Sequence, residues 1–421
     1  MPRNGAEPVI ACALIPRFTL LAVVGGRSEL LLRAMALAPE SGGPQVIGEA
    51  SGPAEAFGVR AGMRLGEALA RCPELILVPP DPERAEAAWE DALRRLEGIG
   101  AAIEPGHPGE AFFEAGGLRG LYGSVEGALR RARDAIGPPV RLGAGRTRLC
   151  AYAAARRARP RRAPVVVPGA MTRAFLAPLP VGLLYERLTS YRAAPGREAE
   201  EAARICSADV LDKLERLGVD NLGQLAALPD SAIADRFGRL GLTALRMARG
   251  EELPLRPRRV HESLVEGLEL GEAISGPQLE RVVALLVDRL LANPARRGRS
   301  LRRLRLAARL AGGGGWRDEA ALRRASADHE RLLLALQSKL DGIPGPVVSL
   351  TLRALETGPP AGETSELDSH ATESRRRRLA EAVRQVRAIA GKDAVLRVLD
   401  ADVDSRVPER RSLLTPYQEE G

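Results

Sequence analysis

Residues 103–118, I-E-P-G-H-P-G-E-A-F-F-E-A-G-G-L, carry three carboxylates, Glu104, Glu110 and Glu114, in an apolar stretch of strand type. Carboxylates in such a setting hold divalent ions, and a pair of ions aligns a nucleophile and a leaving group for in-line phosphoryl displacement. Each hard cation takes about six oxygen ligands, so one carboxylate cannot hold two. Gly109 and Ala111 flank Glu110, which leaves it without an adjacent acid. Glu104, Glu114 and Asp81 are the nearby carboxylates that could substitute, and Glu114, four residues along a strand, would share the face of Glu110. A relic carboxylate or a strand-end ion pair is the plainer expectation for Glu110.

A second set of residues suits phosphate binding. Arg296, Arg297, Arg299 and Arg302 lead into residues 303–310, where Leu304, Leu306, Ala308 and Leu310 alternate with Arg303, Arg305, Ala307 and Arg309. A period of two places the arginines on one face of a strand, as a nucleic-acid backbone requires. The turn at Gly218 and Val219, inside L-D-K-L-E-R-L-G-V-D-N-L, has a helix-turn-helix pattern, and its backbone N–H groups could meet a phosphate at the start of the next helix.

The 421 residues, 45% hydrophobic, suffice for two or more cores, because single cores seldom grow past about 250–300 residues. A net charge of +8 and a pI near 9.8 favour a polyanionic partner such as nucleic acid. All but Lys213, Lys339 and Lys392 of the 62 basic residues are arginine, a bias that a GC-rich genome produces by itself. Cys12, Cys72, Cys150 and Cys206 lack C-x-x-C spacing, and His107, His261, His329 and His370 form no zinc pattern with them, so a reducing compartment without structural zinc is expected. Glu7, Pro8, Pro16 and Arg17 interrupt the apolar N-terminal run, so no membrane span is expected and a cytoplasmic protein is. Aromatic residues at 3% argue against a base-stacking platform.

The elements that must position these groups follow from periodicity. Residues 9–24 read as a buried strand leading into a loop, residues 54–81 as helix, loop, helix, strand, and residues 82–98 as a helix covering a sheet face. Residues 253–259, L-P-L-R-P-R-R, read as a stiff basic linker. Residues 262–355 read as strand, helix, strand, strand, helix, strand, a small antiparallel sheet with two helices on one face. Residues 358–372 read as a linker, followed by a basic helix over 373–391 and a strand over 394–399.

Over roughly residues 9–355 the order of landmarks resembles the Y-family, the lesion-bypass DNA polymerases. Residues 54–81 resemble its fingers-to-palm region, Ile103-Glu104-Pro105 with Glu110-Ala111-Phe112 its second acidic motif, R-L-G-A-G-R-T-R-L-C-A-Y-A-A its phosphate-side palm motif, and F-L-A-P-L-P its palm-to-thumb junction. The resemblance implies an α+β multidomain fold, a polymerase right hand of palm, fingers and thumb plus a little-finger domain. It assigns the palm to residues 1–25 and 75–168, the fingers to 26–74, and a helical thumb with a helix-hairpin-helix to 169–252. The DNA-binding little finger takes 260–356, a linker 357–372, and a partner-binding C-terminal appendix 373–421.

The departures from the family pattern V-D-x-D-x-F are as informative. Aligned on Ile10, Ala11 and Phe18, the two acidic positions fall on Leu14 and Pro16, and Gly109 stands where an Asp precedes Glu110. Gly52 and Glu55 replace the triphosphate-gripping Tyr and Arg, Thr19 replaces the sugar-selecting aromatic residue, and Arg146 and Arg148 keep positive charge on the phosphate side of the palm. The ending R-V-P-E-R-R followed by L-x-P resembles the ImuB type, a catalytically degenerate branch. The resemblance therefore implies a non-catalytic, cofactor-free scaffold that binds primer-template or damaged DNA in translesion synthesis and induced mutagenesis, as in the SOS response. Its implied partners are an error-prone replicative-type polymerase, a RecA-like accessory protein and the sliding clamp. Two alternatives stand beside it: an active error-prone polymerase with a rearranged, Mg2+-dependent metal site, and a general nucleic-acid-binding protein. A clamp peptide should be led by glutamine; residues 358–372 contain none, and Q-L-A-A-L-P at 224–229 is expected to be folded away.

Overall fold

A computed structural model describes residues 8–416 except 26–27, 41–42, 138, 161, 193–196, 259–263, 361–370, 392–393 and 401–411. Along the chain lie β1 (Ile10–Leu14), α1 (Phe18–Val23), β2 (Met35–Leu37), α2 (Gly52–Ala56), α3 (Leu65–Arg71), β3 (Ile76–Val78) and α4 (Pro82–Glu97). Next come β4 (Ile103–Pro105), β5 (Glu110–Glu114), α5 (Arg119–Tyr122), α6 (Val125–Ile136), β6 (Arg141–Gly145), α7 (Arg148–Arg157) and β7 (Val165–Val166). Five helices follow, α8 (Thr172–Leu176), α9 (Tyr185–Arg192), α10 (Arg197–Arg216), α11 (Leu222–Ala227) and α12 (Asp230–Arg249). The remainder is β8 (Val265–Ile274), α13 (Pro277–Ala292), β9 (Arg299–Leu310), β10 (Gly315–Ser326), α14 (His329–Leu340), β11 (Val347–Pro360), α15 (Ala371–Ala390), β12 (Leu396–Asp400) and β13 (Ser412–Pro416). Contacts divide the chain into two compact units, Met1–Leu31 with Ala85–Arg259, and Leu32–Arg84 with Val260–Gly421. The first takes in the stretch assigned to the thumb and most of that assigned to the palm; residues 75–84, also assigned to the palm, fall in the second with most of the fingers stretch and the little-finger stretch.

In the first unit a five-stranded sheet runs β4-β5-β1-β6-β7. Its central strand is covered on both faces, which is why its sequence is a continuous apolar run. Ala11 and Ala13 join Leu93 and Leu96 of α4 and Leu129 of α6 on one side, and Ile10 and Cys12 join Phe112, Ala151 and Tyr152 on the other. A separate helical core gathers Leu176, Leu184, Leu188, Leu214, Leu222, Leu225 and Leu245.

Two expectations are corrected here. Residues 18–23 are the helix α1, not part of an apolar strand run: Pro16 and Arg17 (φ 55°) break the strand, and burial of Phe18 and Leu20, with the Phe18 ring edge-on to Trp89 at 5.2 Å, rewards the helical turn. Residues 251–258 are not a free linker but a strap bonded to the unit. Arg258 N–H donates to Ile103 O at 2.7 Å, and its guanidinium reaches Glu90 (2.6 Å) and Glu97 (2.7 Å) on α4.

In the second unit the strands order β10-β9-β11-β8, all antiparallel. Val283, Leu286 and Leu290 of α13 with Leu332 and Leu336 of α14 cover one face, burying Leu304, Leu306 and Leu350. A smaller core holds Ala36, Ile47, Val59 and Ala68 beside the parallel pair β2 and β3. The turn before β10 meets the Pro79–Asp81 segment through Gly315 N–H to Pro80 O at 2.7 Å. β11 continues to Pro360, opposite Arg299, so residues 357–360 are strand and not linker; residues 361–370 lie outside the described residues. The same is true of the R-V-P-E-R-R segment, while β12 and β13 pair antiparallel.

Candidate functional site

Glu110 opens β5 and pairs in register with Leu14 of β1, whose other neighbour is Arg141 of β6. Directly opposed residues share a sheet face, so Glu110, Leu14 and Arg141 form a row across the end of the sheet. The Glu110 side chain is 4% exposed, and both of its oxygens accept hydrogen bonds from Arg187 of α9, one from each Nη. The Arg187 guanidinium carbon stacks 4.4 Å from the Tyr152 ring centroid and 5.5 Å from that of Phe112. A bidentate, charge-assisted fork walled by aromatic rings saturates the carboxylate. Burial pulls Arg187 downward, but Glu110 outweighs it and holds the guanidinium above the usual arginine value. Burial, with Glu110 adding to it, pushes the neighbouring Cys12 thiol well up.

Gly109 has φ 89°, and a Cβ built on it would sit 2.5 Å from Phe18 Cβ and 2.7 Å from Ile15 O. Ile15 N–H donates to Gly109 O at 2.7 Å, fixing that approach. An Asp therefore does not fit where the family pattern has one. Gly106 is equally constrained, since its Cβ would lie 2.5 Å from Glu110 Oε1.

The substitute acids are corrected in turn. Glu114 shares the face of Glu110 but stands exposed at the far end of β5, opposite Ile10, about 13 Å away at 3.3 Å per residue. Asp81 caps α4, accepting from Arg84 N–H at 3.0 Å. Glu104 binds Arg148 at 2.5 Å and also accepts from Arg256 N–H. Among the described residues no group of three or more His, Cys, Asp or Glu is placed to hold a metal ion. A two-ion centre does not fit these side chains, and no step through a metal is derived.

At the N-terminus of α7, Thr147 caps Cys150 N–H at 3.2 Å. The Arg148 and Leu149 N–H groups donate to the Glu252 carboxylate at 3.1 and 3.0 Å, and Arg148 Nε reaches it at 3.1 Å. Arg148 Nη2 adds a bond to Leu253 O at 3.2 Å. Helix N-termini attract anions, and here the anion is the chain's own Glu252, 4% exposed. Burial lowers Arg148, but Glu104 and Glu252 raise it above its ordinary value overall. Arg148 thus belongs to an internal network, whereas Arg146 is exposed. Gly52 and Glu55 are exposed on α2, and Thr19 is half-buried on α1.

The face of the second unit's sheet turned away from α13 and α14 carries Arg303, Arg305 and Arg309. Arg305 stands opposite Glu319 and Arg353, and Ala307 opposite Arg317 and Thr351. Acids temper the charge: Arg305 bonds Glu319 at 2.9 Å, Arg303 lies 3.9 Å from it, and Arg309 pairs with Glu269. Arg297 and Arg299 are exposed beside this sheet. Arg296 is not, which corrects the expectation of a surface contact. It is fully buried, bonding Leu291 O at 2.9 Å, Arg299 O at 2.8 Å and the Glu381 carboxylate of α15.

Gly218 and Val219 are corrected as well. The Gly218 N–H donates to Glu215 O (2.9 Å) and the Val219 N–H to Leu214 O (3.0 Å). Asp220 and Asn221 N–H go to the Gln224 side chain, and Leu222 and Gly223 N–H to Leu179 O and Ala177 O. These donors are spent within the hairpin and on the segment after α8, and none of them is offered to a phosphate. Q-L-A-A-L-P is folded here, with Leu225 and Ala226 buried.

Comparison with known proteins matches residues 17–156 to the impB/mucB/samB family model. Protein ImuB of Caulobacter vibrioides is 29% identical over 364 residues, 84% of this chain and 73% of that protein. The chain is similar to ImuB over most of its length and to the Y-family polymerases. DNA polymerase IV of Moorella thermoacetica is 28% identical over 253 residues, 58% of this chain and 57% of that one. The chain spans about half the length of such relatives, 45% for DNA polymerase IV of Dehalococcoides mccartyi. A solved structure described as an insertion ternary complex of Dbh DNA polymerase superposes with a TM-score of 0.50 at 15% identity, covering 84% of this chain and 99% of that one. That likeness shows the multidomain polymerase fold.

Arg187, Glu252 and Arg141 carry no signal in the sequence. Arg187 and Glu252 meet partners 77 and more than 100 residues away, and a lone charged residue in a helix or a loop carries no spacing signal. The left-handed turn before β5 was the available clue: a glycine at a position whose family pattern asks for an acid also signals a backbone that excludes side chains.

Proposed function

We propose that this chain is a DNA-binding homologue of the Y-family that has given up nucleotidyl transfer and acts as a scaffold in translesion synthesis and induced mutagenesis. The observation that carries this reading is the buried Glu110–Arg187 pair. The one carboxylate left at the acidic motif neutralises a guanidinium, and Leu14, Pro16 and Gly109 supply no ligand beside it. Glu252 on the α7 N-terminus supports the same conclusion, because a bound triphosphate would have to displace it.

DNA as ligand is supported by the arginine-rich sheet face and by relatives named DNA polymerase IV. Kinship with ImuB supports work in the cytoplasm alongside an error-prone replicative-type polymerase, a RecA-like accessory protein and the sliding clamp. No helix among the described residues is long and apolar enough to cross a membrane.

The names of the DNA polymerase IV relatives favour a second reading, an active Mg2+-dependent polymerase. Equilibrium binding in EDTA separates the readings from one side: a scaffold holds primer-template without divalent ions and prefers it to plain duplex in competition. Equal affinity for the two DNAs would point instead to a general nucleic-acid-binding protein.

A further inference from the structure

The arginine-bearing face of the second unit's sheet is not bare. Directly opposed residues share a face, so Glu319, Arg305 and Arg353 form one row across β10, β9 and β11, and Gly315, Arg309 and Ser349 another. Ala307 lies in the row between them and is only 2% exposed, so the middle of this face is shielded from solvent. Residues 79–83 belong to the same compact unit and meet the face at two points. Pro80 O accepts from Gly315 N–H at 2.7 Å, and a Cβ built on Gly315 would sit 2.9 Å from Asp81 Oδ1. In the row of Arg305, Glu83 Oε1 accepts from Arg353 Nη2 at 3.2 Å, a contact between residues 270 apart in sequence. The pair is largely out of water, with the Arg353 side chain 17% and that of Glu83 20% exposed.

Glu83 is incompletely held. Its Oε2 is buried and accepts no hydrogen bond among the described residues, which costs an ionised oxygen free energy. A carboxylate and a phosphate offer a guanidinium the same kind of acceptor. A DNA strand brings several phosphates at once, to Arg303, Arg305 and Arg309 as well as Arg353, whereas Glu83 brings one carboxylate with one oxygen unbonded. We infer that residues 79–83 are a built-in cover for this face, with Glu83 standing in for a phosphate at Arg353, so that DNA takes the face only by displacing Glu83. The contact is self-inhibitory: it selects for polyanions that engage several arginines together. The inference rests on the reading that DNA is this chain's ligand.

The test measures equilibrium binding of a fluorescent primer-template in EDTA, at fixed ionic strength, to the full chain as wild type, Glu83→Gln, Glu83→Ala, Arg353→Gln and the double variant Glu83→Gln with Arg353→Gln. Each Glu83 variant should bind about two- to five-fold more tightly than wild type, the gain that releasing one ion pair of this exposure allows. Arg353→Gln should bind no more tightly than wild type, and adding Glu83→Gln to it should bring no further gain. A gain of the same size with and without Arg353 would reduce Glu83 to a distant negative charge and overturn its role as stand-in. If wild type binds primer-template and both Glu83 variants bind no more tightly, the cover falls although DNA binding stands. If neither wild type nor the Glu83 variants bind, the DNA reading falls and the inference with it.

Discussion

Arg187 donates both Nη groups to the carboxylate of Glu110, so that α9 of the helical layer is clasped to the first residue of β5. The carboxylate of the acidic-motif position ties a helix to the sheet. Breaking such a pair strands a buried charge, at a cost of about 3–5 kcal/mol. Arg187→Met and Glu110→Gln should each lower the denaturation midpoint strongly, and replacing both by apolar residues should recover much of the loss. Additive losses in the double variant would show that the two residues act separately.

Gly109→Asp should not restore chemistry. At φ 89°, with Phe18 Cβ and Ile15 O in the way, any side chain costs about 1–3 kcal/mol in backbone strain before the clash is counted. The variant should melt earlier than wild type, and combining it with Leu14→Asp and Pro16→Asp should yield no primer extension. A stable, active triple variant would show that the backbone can accept acids at these positions.

Glu252→Gln should weaken the strap. It removes a charge from two helix N–H groups and from Arg148, worth about 1–2 kcal/mol. Faster tryptic cleavage after Arg256 or Arg258 is the expected sign, measured against wild type under native conditions.

On the arginine-bearing sheet face, replacing Arg303, Arg305 and Arg309 by alanine should weaken DNA binding and flatten its salt dependence, by at most about 0.9 per lost contact. Because Glu319 holds Arg305 at 2.9 Å, Glu319→Gln should strengthen binding. Arg296→Ala should act differently, lowering stability by unpairing Glu381, since Arg296 is fully buried.

Burial pushes the Cys150 thiol from 9.0 up to about 11, with the neighbouring Thr172 side chain pulling the other way. The folded state therefore holds the proton more tightly than the unfolded chain. The stability this contributes is complete below about pH 9 and is lost as pH rises toward about 11. Iodoacetamide below pH 9 should accordingly modify the half-buried Cys206 well before Cys150, as peptide mapping would record.

Much of the fold was legible because periodicity reports burial directly. The alternating arginines of β9 placed its leucines in the core, and the apolar run before Leu14 announced a strand covered on both faces. Phe18–Val23 misled because a short apolar segment fits strand and helix alike, and only its packing against Trp89 decides. The empty acidic positions were visible as letters. That Arg187 fills the gap, that Gly109 is sterically sealed, that Arg296 is interior and that the Gly218 turn spends its own N–H groups were not, because each depends on contacts between distant residues or on φ angles that no spacing encodes.

Primer extension by the purified full chain with Mg2+ or Mn2+, run beside EDTA binding of the same primer-template, tests the central claim most directly. The account predicts stable binding in EDTA and no template-directed incorporation with either ion. Incorporation by the wild-type chain, dependent on the divalent ion and directed by the template, would contradict it.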